Sequence, residues 1–171
     1  MALTQLRAGA FPSGSVVQTV VTTKDDTFSS NGSSTAYEDI TGLSVAITPS
    51  STSNKILVVL SLGISTSNVH ATFKILRGST DIFLPTTVGS RISGHGHIYS
   101  ASAFNDHYDI ESKTIQLLDS PSTTSATTYK VQVATPNSAS YIAHINRTAN
   151  DSDNNYNART VSSITAMEIK G

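Results

Sequence analysis

The chain has 171 residues, a formal net charge of −1 at pH 7 and no cysteine. Because only 13% of its residues are charged, we expect neither nucleic acid nor an anionic membrane as a partner. The lack of cysteine excludes disulfide bonds and thiolate metal sites, and no stretch approaches the roughly 18 consecutive apolar residues of a membrane span.

The composition favours one domain built from β-strands. The sequence contains 27 serines and 23 threonines, and threonine is common in strands whereas serine is common in turns. Hydrophobic residues make up 37% of the chain and occur in patterned runs, which argues against disorder. A length of 171 residues suits a single domain with a substantial core.

Alternation of apolar and polar residues indicates strands along most of the chain, and no segment has a convincing helical period. The run 55–65 is almost continuously apolar, so we predict a central strand covered on both faces. Strands are predicted near residues 15–22, 35–40, 43–48, 55–65, 69–78, 81–85, 96–104, 113–118, 127–134, 139–146 and 161–169. Many short strands separated by turn residues predict an all-β fold, either an antiparallel sandwich or a barrel.

The segment 119–126, DSPSTTSA, joins two of these alternating runs. Pro121 cannot donate to a ladder, and Asp119 and Ser120 can bond the local backbone. We therefore predict a hairpin-like connection between antiparallel strands, and we favour a plain connector over a ligand-binding loop.

The first residues differ from the rest of the chain. Leu3, Leu6 and Phe11 are scattered apolar side chains in a short segment that ends at Pro12-Ser13-Gly14. Such side chains would be exposed on a free domain, so residues 1–14 are predicted to be an N-terminal assembly arm. Residues 15–171 are predicted to form a single β-sandwich domain.

Two groups of residues are candidate metal ligands. His95 and His97 could share one face of a strand, with His107 as a third ligand, but the spacing matches no recognised zinc pattern. The second group has the alternate spacing of a calcium loop, yet Tyr156 and Ser162 stand where that loop requires glycine and a bidentate glutamate. Its members are Asp151, Asp153, Asn155 and Asn157. We interpret the histidines as part of a surface loop or of a stack near a symmetry axis, and the second group as a solvated loop tip, and we predict that folding requires no metal.

No arrangement in the sequence indicates catalysis. No serine lies in a Gly-x-Ser-x-Gly nucleophile elbow, and the acidic residues Glu38, Asp39, Asp109 and Glu111 form no distinctive pair. We therefore predict a protein that is not an enzyme, with no catalytic residue and no cofactor.

Several segments, taken in order, resemble a known family. They include GSVVQTV, DITGLSVAITPSSTSNKILV, RGST, DSPSTTSATTYKVQ and the closing SITAMEIK. These segments resemble structural proteins of tailed bacteriophages, which occur as capsid decoration (cement) proteins and as tail-fibre-like proteins, and the resemblance covers nearly the whole chain from about Pro12. It implies a jelly-roll-like β-sandwich, a homotrimer and a location on the virion, after assembly in the host cytoplasm. It brings no catalytic residue.

Two roles are compatible with the resemblance. The first is a capsid decoration protein bound to the major capsid protein, and the second is a tail- or head-fibre tip that binds a host-surface receptor or glycan. Because about a dozen residues precede the first strand, whereas a fibre chain usually carries attachment and shaft segments there, we expect decoration. A sugar-binding module unrelated to viruses is less favoured, since six tyrosines and no tryptophan offer no obvious stacking platform.

Overall fold

The computed structural model describes residues 11–30, 36–66, 69–100, 108–136 and 141–171. Within these ranges the chain forms eleven strands and no helix, and therefore no helix that could cross a membrane. The strands are β1 (Val16–Lys24), β2 (Phe28–Ser29), β3 (Glu38–Ile47), β4 (Lys55–Thr66), β5 (His70–Arg77), β6 (Thr80–Asp81), β7 (Gly96–Tyr99), β8 (Glu111–Asp119), β9 (Thr127–Ala134), β10 (Ala143–Ile145) and β11 (Ser162–Ile169).

The strands form two antiparallel sheets that pack face to face, as predicted for a β-sandwich. Sheet A has the order β1-β11-β4-β8, with β10 and β2 continuing from the far part of β4. Sheet B has the order β3-β9-β5, and β7 and β6 share the free edge of β5. Of the seven connections between the eight longer strands, all but β5 to β7 pass between the sheets, which is the jelly-roll arrangement.

The core lies between the sheets and is made by every second residue of the long strands. Ile56, Val58 and Leu60 on β4 are fully buried, as are Val131 and Val133 on β9. β4 is central to sheet A, as the sequence predicts, because it pairs with β11 and β10 along one edge and with β8 along the other. Both of its faces are buried only from Leu62 to Thr66, so the predicted cover on both faces holds for that half alone.

The two predicted strands around Thr41-Gly42 are one strand, β3. Gly42 has a φ of 81°, and the pairing of β3 with β9 shifts register between Asp39 and Ser44. A bulge of this kind lets the strand bend and continue, and glycine adopts the positive φ without a steric cost. The Thr-Gly pair therefore marks a bulge and not the end of a strand.

The prediction that 119–126 is a hairpin-like connection is wrong. β8 belongs to sheet A and β9 to sheet B, so the segment crosses from one sheet to the other. Asp119, buried at the end of β8, fixes this crossing. It accepts hydrogen bonds from Arg77 Nη1 at 2.9 Å and from the Tyr129 hydroxyl at 2.7 Å, which ties β8 to β5 and β9.

Smaller differences have local causes. β6 ends at Asp81 and not near Pro85, because Ile82 turns into the core and Phe83 adopts a φ of 51°. β2, two residues long, is not predicted from the sequence. Parts of the predicted strands 96–104 and 139–146 lie outside the described residues.

Sheet A has two distinct ends, separated by the roughly 36–40 Å length of β4. At the terminal end, Gly14 N–H donates to Lys170 O at 2.8 Å and Lys170 N–H to Ser15 O at 2.9 Å, so the chain before β1 continues the ladder with β11. At the tip end, residues 146–160 form a hairpin, the tip hairpin, joined to β4 by the Asn146 N–H bond to Gly63 O at 3.0 Å.

Candidate functional site

The outer face of sheet A, called here the sheet A face, is almost uncharged over its four long strands. Residues on β1, β4, β8 and β11 that do not enter the core point outward in rows. One row runs from Thr19 through Met167 and Leu57 to Leu118. Lys55, at the start of β4, is the single ionisable member. The other members are Val16, Thr19, Val21, Thr23, Leu57, Val59, Ser61, Ser112, Thr114, Gln116, Leu118, Ser163, Thr165, Met167 and Ile169.

Apolar side chains on this face remain open to solvent. Val16, Val21 and Leu118 are 49%, 54% and 47% exposed, and Leu57 and Met167 between them are half-buried. Contiguous apolar surface of this kind is uncommon on a monomer and usually marks an interaction site. The sheet A face is therefore a candidate contact surface.

The outer face of sheet B differs in chemistry. Asp39 bonds Lys130 at 2.8 Å and Gln132 at 2.7 Å, and the Lys130 hydrogen bond leads the effects that lower the pKa of Asp39. Lys74 pairs with Asp81 at 2.6 Å and lies 4.2 Å from the centre of the Tyr37 ring. Charged groups on this face therefore bond each other, whereas the sheet A face has a single ionisable member.

His95, a candidate metal ligand, instead closes a gap in the edge of β5 between β7 and β6. Its Nδ1 accepts the Ile75 N–H at 3.0 Å, so the ring proton lies on Nε2 and donates to Ile82 O at 2.9 Å. Burial lowers the pKa of His95, which keeps the ring neutral. Both ring nitrogens are used by the backbone, and a metal could bind only by breaking the sheet edge.

His97 points to the outer surface and contacts other side chains. Thr72 Oγ1 lies 2.8 Å from its Nδ1, and its Nε2 lies 3.1 Å from Nδ1 of His70, whose ring stacks on Tyr99. Burial and the neighbouring His70 lower the pKa of His97. The third candidate, His107, lies outside the described residues, and the described part of the chain holds no group of three or more His, Cys, Asp or Glu side chains placed to bind a metal.

The predicted calcium-like spacing falls on the tip hairpin, where the oxygen atoms of Asp151 and Asn157 already have partners. Asp151 pairs with Arg147 at 3.2 Å and with Arg159, and the Arg159 hydrogen bond lowers the pKa of Asp151 most. The amide of Asn157 donates to the Ser152 carbonyl. Asp153 and Asn155 are exposed. Two guanidinium groups beside Asp151 disfavour a cation there, so the geometry supports our interpretation of a loop tip.

One hydroxyl–imidazole pair outside the sequence candidates was tested for catalytic geometry. Ser29 Oγ lies 2.9 Å from Nδ1 of the buried His144, but Arg147 Nη2 donates to the same nitrogen at 2.7 Å. Burial and then the Arg147 charge lower the pKa of His144 to about 4, which makes it a weak base at neutral pH. No described carboxylate bonds the ring, so we interpret the Ser29–His144 pair as structural.

The predicted arm residues are mostly beyond the described part. Leu3 and Leu6 lie outside it, while Phe11 is half-buried and its carbonyl accepts a hydrogen bond from Lys170 Nζ. The described end of the arm therefore contacts the terminal end of sheet A, and the assembly role of Leu3, Leu6 and Phe11 stays a prediction. The chain matches no protein-family model and no curated protein.

Sequence reasoning missed one buried charged group that the alternation could have revealed. In SSITAMEI, Glu168 has the same parity as Ile164 and Ala166, so it points inward and is fully buried. It accepts hydrogen bonds from Asn54 Nδ2 at 2.6 Å, Ser50 N–H at 2.6 Å and Gln18 Nε2 at 2.5 Å. This network ties β11 to β1 and to the turn before β4.

Proposed function

We propose that this chain is a non-enzymatic bacteriophage virion structural protein, namely a capsid decoration protein that assembles as a homotrimer and binds the major capsid protein. The observation that supports assembly is the sheet A face, because its apolar, nearly uncharged surface is suited to close packing against other copies of the chain. The jelly-roll strand order is compatible with the proposal, and the virion location rests on the sequence resemblance.

The self-association has a physical rationale in the composition of the face. Valine, leucine, isoleucine and methionine supply buried area, while threonine, serine and glutamine between them can bond across an interface without carrying charge. Burying a Leu or Val side chain contributes about 1.5–3 kcal/mol. Repeated on each protomer, the exposed Val16, Val21 and Leu118 together with the half-buried Leu57 and Met167 form a large favourable contribution.

The alternative role, a tail- or head-fibre tip that binds a host-surface receptor or glycan, is favoured by a different observation. The tip hairpin carries Tyr156, which is 73% exposed, and it lies at the end of sheet A opposite Gly14 and Lys170. An exposed aromatic side chain far from the chain's arm suits contact with an external ligand.

Charge placed on the sheet A face should dissociate the trimer. We expect the double variant Leu57→Lys, Met167→Lys to sediment as a monomer with an unchanged far-UV circular dichroism spectrum, because two lysines per chain would be desolvated in the interface. The matched control is Ala46→Lys, an exposed outward position on sheet B, which should remain trimeric. A wild-type chain that is monomeric at micromolar concentration would contradict the proposal.

Removal of residues 1–11 should leave the β-domain folded but abolish its attachment to the particle. Burial of Leu3, Leu6 and Phe11 on docking would contribute about 1.5–3 kcal/mol for each side chain, and this contribution is repeated on each of the three chains. The test adds purified protein to particles stripped of it and measures occupancy. A second variant, Leu3→Ser, Leu6→Ser, keeps the Phe11 carbonyl contact with Lys170 and should also fail to bind. Full rebinding by both would show that the arm is not the anchor.

A further inference from the structure

The tip hairpin carries the exposed Tyr156, and residues that flank Tyr156 in the chain line a small polar cleft. Tyr156 is 73% exposed and Tyr108 is 43% exposed, and their ring centres lie 6.3 Å apart in an edge-to-face arrangement. We propose that the tip binds a neutral saccharide, with one pyranose ring stacked on Tyr156 and its hydroxyl groups bonded in the adjoining cleft.

Tyr156 is suited to stacking because the neighbouring Tyr108 ring is held in place while the Tyr156 ring is mostly exposed. Asn150 Nδ2 donates to the Tyr108 hydroxyl at 3.3 Å, which orients that ring from the hairpin. The two rings meet at a steep angle, so Tyr156 has a defined neighbour while most of its surface meets solvent. The electron-rich face of an aromatic ring attracts the weakly positive C–H groups on one side of a pyranose.

The cleft beside Tyr156 has the size and chemistry for one sugar ring. Its volume is about 260 Å³, and it is lined by residues 151–154 and 157–159. The Asp153 carboxylate lies in this lining and forms no hydrogen bond or ion pair with any described residue, so it is available to accept from two neighbouring hydroxyl groups. Arg159, whose side chain is 55% exposed, also lines the cleft and can donate to a hydroxyl group.

The tip is organised before any ligand arrives. Asn150 Oδ1 accepts the Ser152 N–H at 3.1 Å, Asn154 Oδ1 accepts the Tyr156 N–H at 3.0 Å, and Asp151 holds Arg147 and Arg159 together. A binding loop that is already ordered loses little conformational entropy on binding. This matters for a sugar, because each hydroxyl bond only replaces a bond to water.

The charge balance of the tip favours a neutral ligand. Arg147 and Arg159 are offset by Asp151 and Asp153, so the hairpin carries no net charge among these four groups. An acidic sugar would meet the free Asp153 carboxylate, and a phosphorylated one would meet both acids. Sugar binding at the tip does not depend on whether the chain is a trimer, so evidence against the trimer from the sheet A variants would not contradict it.

The test is a titration of the ¹⁵N-labelled full chain with glucose, galactose, mannose and N-acetylglucosamine, followed by amide chemical shifts. At least one sugar should shift residues 150–159 and leave Ala46 on sheet B unmoved. Tyr156→Ala should weaken binding about tenfold, whereas Tyr156→Phe, which keeps the ring, should bind as the wild type does. Asp153→Asn should weaken binding less than loss of the ring does.

Tyr99→Ala is the matched control, because Tyr99 is also an exposed tyrosine, at 53%, but lies on β7 of sheet B. It should bind sugars unchanged. The proposal is overturned if none of the four sugars shifts the tip residues, or if Tyr156→Ala binds as tightly as the wild type.

Discussion

Replacing Glu168 with alanine is expected to lower the melting temperature of the domain by about 10 °C. The carboxylate is fully buried at the terminal end of sheet A, where Asn54, Ser50 and Gln18 donate to it. Without it, the buried Asn54 amide and the partly buried Ser50 and Gln18 donors lose their acceptor, at a cost of about 3–5 kcal/mol in the free energy of unfolding.

The comparison with Glu168→Gln separates shape from charge. Glutamine keeps one oxygen for Asn54 and Ser50 but turns an N–H₂ group toward the Gln18 donor, so we expect a smaller loss. Thermal unfolding of the three proteins, followed by circular dichroism, ranks their melting temperatures. Equal melting temperatures for wild type and Glu168→Ala would show that the network contributes nothing to stability.

The domain should lose stability as the pH falls from 6.5 to about 4, mainly through His144. Its pKa in the fold is about 4, lowered first by burial and then by the Arg147 charge, while the unfolded chain has the ordinary value of 6.5. Between these values the unfolded state binds a proton that the folded state does not. The stabilisation is therefore complete above pH 6.5 and falls by about 3 kcal/mol as the pH approaches 4.

His144→Gln should flatten this dependence. Glutamine can still accept from Ser29 or Arg147 through its oxygen but does not titrate. His95 acts in the same direction, because burial also lowers its pKa, so some slope should remain. Below about pH 4.5 a separate loss is expected from Glu168. Burial alone would raise its pKa, but the hydrogen bonds from Asn54, Gln18 and Ser50 outweigh that and hold it below its usual value.

Urea unfolding at several pH values between 4 and 8 measures the pH dependence of the unfolding free energy in the wild type and in His144→Gln. The wild type should show the steeper rise of unfolding free energy with pH, and His144→Gln the shallower one. Parallel curves for the two proteins would mean that His144 is protonated in the fold and that the Arg147 contact does not keep it neutral.

The sequence predicts strands well where one face is buried and the alternation is regular. In TYKVQV, Tyr129, Val131 and Val133 point to the core, and 127–134 is predicted to the residue. Local pattern cannot show which sheet a strand joins, which is why the 119–126 connection was misassigned. In the sequence, the Thr41-Gly42 bulge also looks like a turn, because glycine with a positive φ occurs in both bulges and turns.

The candidate site was less accessible to sequence reasoning. The uncharged sheet A face emerges only when the register brings Thr19, Met167, Leu57 and Leu118 into one row from four separate strands. The roles of His95 and His144 are also invisible in the sequence, because His95 bonds the backbone of Ile75 and Ile82 and His144 contacts the hydroxyl of Ser29, all distant along the chain. Spacing suggested metal ligands, whereas the fold uses one histidine to complete a sheet edge.

The pairing of β1 with β11 has a consequence for how the chain folds. Val16 pairs with Ile169, so the first strand of sheet A finds its partner in the last strand of the chain. Loops of this length are slow to close, and folds dominated by such distant pairings fold slowly. On the ribosome, β1 would wait unpaired until β11 has been synthesised. A chain that stops before β11 lacks one of the two inner strands of the sheet A face, so such incomplete chains would be unable to join an assembly through that surface.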